Sequence, residues 1–354
     1  MKNILELPQY QTKYFDDFKE YYRKAQEMEK KSLGLPYEPV DDPLMENVHI
    51  YNATERKNAG FSNILEDIWK GNDKEKTYPG QKLPGILPMK RKSFDIFTWH
   101  YICLVHRITG SGASFEPDHG YRNTIIPKLI QHDDIWAMIE VIRTHSTPMF
   151  TSKGNQIPPF NKPTSKYSKG GIEYLCEIAP ILSCAYVEWL QDRHAANRTT
   201  TIQEAVDYIL DYQSILGWKR FKFVLTAFVM DTAEYYPHLI DPKSHCYYGK
   251  NALESMDLMF VNKPKGMNKK TWYDNVMEFL CSVCLKRDGS LSDPYSMEDV
   301  LCDYIRYVEN YVPKWYLNNL EYDKLENNSK IKDHEPNFLR SHINTLFEGG
   351  LFDA

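Results

Sequence analysis

Apolar residues recur at three- and four-residue intervals along most of this 354-residue chain, and that spacing admits few folds. A period near 3.6 lines one face of a helix, whereas a half-buried strand alternates at every second residue. The strongest stretch is KRFKFVLTAFVMDTAEYY, residues 219–236. The same period predicts helices over 12–31, 60–70, 94–107, 133–144, 171–192, 202–215, 271–286 and 297–311, with LRSHINTLF as a last helix in a polar C-terminal segment, 321–354. No series of alternating strands joined by tight hairpins interrupts them. The expected class is mainly α.

Two stretches break the pattern. TYPGQKLPGILP (77–88) is punctuated by Pro and Gly, and TSKGNQIPPFNKPTSKYSKGG (151–171) is long, basic and without periodicity. A loop of that length inside a domain is functional or disordered more often than it is a plain connection. It is the expected seam between an N-terminal helical part, 1–150, and a second helical part, 172–320.

Composition narrows the function classes. The net charge of -5 excludes an affinity built only on phosphate neutralisation, so any nucleic-acid contact must come from a local basic patch. Aromatic residues reach 14% with 25 Tyr, which suits stacking or wet-edged packing. Seven scattered Cys argue against a disulfide framework and for a reducing compartment. The N-terminus has no apolar secretory core, and the longest apolar run, from Ile178, is interrupted by Pro180 and Glu188. A cytoplasmic protein outside the membrane is expected. Cys281 and Cys284 have metal-ligand spacing but lack a second pair, so buried thiols are expected, with no metal and no cofactor.

The segment around the strongest helix carries the chemistry-bearing residues. Gly217 permits a tight turn, a helix is expected to start near Lys219, and Pro237 closes it. Lys219, Arg220 and Lys222 fall in the first turn, where free amides and three cations suit a phosphate; a solvated surface turn is the competing reading. HLIDPKSHCYYGKNA follows, residues 238–252. Asp241-Pro242 has the signature of an N-cap and first helical residue, with Gly249 as the stop. Asp241 is therefore either a helix cap or a carboxylate at the mouth of a groove, beside His245 and Lys250.

GWKRFKFVLTAFVMDTAEYYPHLIDPKSHCYYGKNA resembles the alpha-glutamyl/putrescinyl thymine pyrophosphorylase family, phage and bacterial relatives of the helix-hairpin-helix DNA glycosylases. DDPLMENVHIYNATER (41–56), HRITGSGASF (106–115) and HGYRNTIIPKL (119–129) share the resemblance. It implies a helix-hairpin-helix glycosylase-like fold in two helical subdomains, in a bacterial or phage-infected cell. It also implies a transferase reaction in which an amine from an amino acid or polyamine displaces pyrophosphate from activated 5-hydroxymethyluracil in DNA. Asp241 takes the position of the superfamily's catalytic acid, and Gly217 through Lys222 that of the hairpin turn. The superfamily hairpin has two glycines where LGWKRF keeps one, so Lys219, Arg220 and Lys222 would supply the DNA grip by charge.

Such chemistry needs a flipped base, stacking rings and groups that read its edge. Tyr247, Tyr248, Asn251 and Asn52 are the candidates. A pyrophosphate leaving group needs cations and amides. Arg107 with Gly110 and Gly112 can supply them, although an ordinary helix-ending turn is the stronger reading of the glycines. His119 and Arg122 are further polar candidates. The attacking amine must lose a proton, which Asp241 or His245 can accept. Two alternatives keep the same residues: a glycosylase that removes a modified base, and a non-enzymatic DNA-binding phage protein in which Asp241 only caps a helix.

Overall fold

The computed structural model describes residues 8, 10, 12–46, 51, 53–70, 76–78, 81–83, 94–109, 126–144, 173–218, 222–261 and 263–309. They are mainly helical. In chain order the helices are α1 (Thr12–Ser32), α2 (Pro43–Glu46), α3 (Gly60–Lys70), α4 (Ile96–Thr109), α5 (Ile126–Leu129), α6 (Ile135–Thr144), α7 (Ala179–Ala195), α8 (Ile202–Ile215), α9 (Lys222–Tyr235), α10 (Lys250–Met259), α11 (Lys269–Val283) and α12 (Pro294–Val308). One turn of π-helix, Tyr174–Ile178, leads into α7. Four short strands accompany them. β1 (Lys76–Tyr78) pairs antiparallel with β2 (Gln81–Leu83), the pair overlapping the stretch 77–88 expected to be irregular. β3 (Thr200–Thr201) pairs in parallel with β4 (Ile240–Asp241). No helix of the described residues is long and apolar enough to cross a membrane.

The chain forms two compact units. The first holds the described residues up to Asn58 and from Tyr248 onward; the second runs from Ala59 to Tyr247. The boundary therefore differs from the expected seam at 151–171, which lies outside the described residues. α4 and α7, from either side of that stretch, pack together within the second unit. Periodicity cannot show this, because the first unit joins the two ends of the sequence.

In the first unit, α1 presents Phe15, Phe18, Tyr21 and Tyr22 at helical spacing to a core shared with α10, α11 and α12. Met256, Met259, Trp272, Val276, Leu280, Val300, Leu301 and Tyr304 fill it. Side-chain caps set two helix starts: Asn268 accepts from the Lys270 N–H at 2.7 Å and Asp293 from the Ser296 N–H at 2.9 Å. Cys281 and Cys284 are buried free thiols in this core, as their apolar surroundings predict. Burial pushes the Cys284 thiol up to about 12.

In the second unit α8 and α9 form a helical hairpin. Gly217, at φ +91°, closes α8 with the two bonds of a Schellman cap: Gly217 N–H to Ser214 O at 3.1 Å and Trp218 N–H to Gln213 O at 2.9 Å. The start of α8 is fixed by a capping box between Thr201 and Glu204. α9 is described from Lys222 onward, the expected start near Lys219 lying outside the described residues, and Pro237 follows its end.

Candidate functional site

The polar stretch 238–252 does not form the short helix that Asp241-Pro242 suggested. Asp241 lies in β4, in register with Thr201. Its Oδ1 accepts the Lys243 N–H at 2.9 Å, and its carbonyl accepts the Ser244 N–H at 3.2 Å. That is an Asx-closed turn, and an Asp-Pro pair favours it as readily as it favours a helix start. Gly249, expected to stop a helix, is instead the N-cap of α10.

The strap after the turn is stitched to the first turns of α8. Ser244 Oγ accepts the Ile202 N–H at 2.9 Å and donates to Asp241 O at 2.6 Å. Gln203 Nε2 donates to Cys246 O at 3.0 Å. Tyr247 donates its hydroxyl to the Asp207 carboxylate at 2.7 Å, while Lys222 Nζ sits 3.3 Å above its ring centre. Several polar residues of this stretch thus hold the strap in place. Asp241 itself is half-buried, and its Oδ2 has no hydrogen-bond or ion-pair partner among the described residues. His245 is half-buried a few residues further on.

The other expected site residues divide between the units. Arg107 lies in the second unit as one side of a bidentate ion pair with Asp231, through Nε to Oδ2 and Nη2 to Oδ1. Asp231 has no side-chain exposure and Arg107 only 10%. This pair joins α4 to α9, so Arg107 serves the core and not an open phosphate site. In the first unit Tyr248 donates to Asp274 at 3.1 Å, and Asn251 donates to the Cys302 carbonyl at 3.5 Å. Both are bonded to their own scaffold. Lys250 is 75% exposed and pairs with Glu254 at 3.4 Å within α10. The chain passes from the second unit to the first between Tyr247 and Tyr248, so the stretch read as one cluster belongs to two bodies. Lys219, Arg220, Asn52, His119, Arg122, Gly110 and Gly112 lie outside the described residues.

Sequence reading missed an aromatic cluster in the second unit. Trp69 of α3, Trp99 of α4 and Tyr235 of α9 pack with ring centres 4.9–5.0 Å apart. Beside them Tyr236 stacks on His100 at 5.1 Å, and Tyr186 meets that imidazole at 5.7 Å with the ring planes at 69°. His100 is fully buried. Its Nδ1 lies 2.7 Å from the Ile96 carbonyl, which can only accept, so Nδ1 carries the proton. Nε2 is left as a buried lone pair without a partner. Burial lowers the His100 pKa to about 4, with the Ile96 bond opposing in part. The rings come from segments up to 167 positions apart (Trp69 to Tyr236), and no local pattern links them. No protein-family model, curated protein or solved structure matches the chain.

Proposed function

We propose that the chain is a DNA base-hypermodification transferase with a helix-hairpin-helix glycosylase-like fold. Its substrate is DNA carrying 5-hydroxymethyluracil activated as the pyrophosphate ester, and the second substrate is an amino acid or polyamine. The observation that carries the reading is the Asp241 carboxylate. It follows a helical hairpin turned by Gly217, is held by its own turn through Oδ1, and keeps Oδ2 unbonded among the described residues on a half-buried side chain. The resemblance of residues 217–252 and the helical class support the same reading.

The chemistry is a substitution at the exocyclic methylene carbon. The amine nitrogen forms a bond to that carbon, the carbon–oxygen bond to pyrophosphate breaks, and the leaving group departs with the electron pair. Asp241 Oδ2 takes the proton that the amine sheds, with His245 as a second acceptor. Lys222, with Lys219 and Arg220, meets the DNA backbone. The glycosidic bond survives.

The test incubates the protein with pyrophosphorylated 5-hydroxymethyluracil DNA and glycine, glutamate or putrescine, followed by digestion to nucleosides. A new amine-bearing nucleoside with release of pyrophosphate is expected. Alkali-labile abasic sites in its place would identify a glycosylase that uses the same acid on the sugar. Neither product would refute both chemistries.

A further inference from the structure

We propose that His194 and His238 form a surface binding site for a divalent transition-metal ion of the copper, nickel and zinc group. His194 lies in the last turn of α7, and His238 lies in the turn that leads from α9 into β4. Both are solvent-exposed, and neither imidazole takes a hydrogen bond among the described residues. Their ring centres are 5.5 Å apart with planes at 80°.

That separation suits one shared ion. A metal 2.0–2.1 Å from a ring nitrogen stands about 3.2 Å from the ring centre. Two imidazoles at ligand angles of about 90° to 120° then have centres about 4.5 to 5.5 Å apart. Imidazole nitrogen favours copper, nickel and zinc, whereas calcium and magnesium require oxygen ligands. Among the described residues no group of three or more His, Cys, Asp or Glu side chains joins the pair. Water completes the shell at this exposed position.

The backbone on both sides is fixed within a few residues. Asn197, at φ +54°, ends α7 with Arg198 N–H to Arg193 O and Asn197 N–H to His194 O, both 2.9 Å. The chain then enters β3, whose Thr200 pairs with Ile240 of β4. On the other side Leu239 and Ile240 both donate to the Tyr236 carbonyl, at 2.9 and 3.2 Å. The two histidines are thus brought together by non-local pairing, 44 positions apart, and a bound ion would pin α7 to the turn three residues before Asp241. This inference does not depend on the proposed reaction.

The test uses the full chain without a polyhistidine tag, titrated with nickel and zinc chloride by calorimetry. One site per chain is expected at pH 7.5. Replacing even a residue that only supports a metal ligand typically costs about 10- to 100-fold in affinity. His194→Asn and His238→Asn should therefore each weaken binding at least about tenfold, and His132→Asn should leave it unchanged. Substoichiometric copper should show hyperfine coupling to two imidazole nitrogens, and to one in either single variant. Circular dichroism checks that the variants fold. Unchanged binding in either variant, or wild-type binding no tighter than that of the double variant, would overturn the proposal.

Discussion

Acid should weaken the second unit through His100, and the size of the effect follows from its surroundings. The folded imidazole holds one proton on Nδ1, directed at Ile96 O, and protonating it places a second on Nε2 inside an apolar, aromatic site. The folded pKa is about 4 against 6.5 for the unfolded side chain. Between those values the unfolded chain binds the proton and the folded unit does not. Stability is therefore complete above pH 6.5 and declines as pH falls toward 4. The gap corresponds to about 3 kcal/mol in all, of which about 2.5 kcal/mol is lost by pH 4.5. His100→Phe keeps an aromatic ring in the space and removes the titration. Denaturant unfolding followed by tryptophan emission at pH 7.5 and 4.5 compares the two proteins; Trp69, Trp99, Trp189 and Trp218 all lie in this unit. The variant should lose about 2.5 kcal/mol less than wild type between the two pH values. Parallel losses, or a His100 resonance titrating near 6.5, would refute the reasoning.

Three further outcomes follow from other buried groups. Glu298 of α12 accepts the Gly249 N–H at 2.9 Å, and burial, with the adjacent Asp299 carboxylate, raises its pKa to about 7. Its folded pKa exceeds the unfolded one, so its stabilisation is complete below pH 4.5 and is lost as pH rises through 7; Glu298→Gln should flatten the stability profile of the first unit over that window in urea titrations. Arg107→Met leaves the Asp231 carboxylate buried without its guanidinium and should destabilise the second unit by about 3–5 kcal/mol in the same assay. Gly217→Ala forces a side chain into the left-handed region at φ +91° and should cost about 1–2 kcal/mol by thermal melting, with the fold retained.

Most of the helices could be read from the sequence because their cause is local. Gly217 and Pro237 bracket α9 as expected, and the apolar spacing of α1 is the face that it buries. The failures have non-local causes. Asp241-Pro242 has one local signature for two structures, and the pairing of Ile240–Asp241 with Thr200–Thr201 selects the turn. Arg107 reads as an exposed cation beside glycines until Asp231, 124 positions later, is packed against it. The fifteen residues 238–252 form one cluster in sequence, but the unit boundary divides them after Tyr247. The aromatic surroundings of His100 and the His194–His238 contact exist only once distant helices have packed.

Asp241→Asn tests the functional account most directly. The amide oxygen can still accept the Lys243 N–H, so the turn and the fold should persist, while the group that takes the proton is removed. Wild-type protein and this variant would be given pyrophosphorylated 5-hydroxymethyluracil DNA and an amine, and the digested nucleosides quantified by mass spectrometry. The account predicts an amine-bearing nucleoside from wild type and a loss of at least about 100-fold in its rate of formation in the variant, the scale of general-base catalysis. Equal rates from the two proteins, with the variant folded, would contradict it.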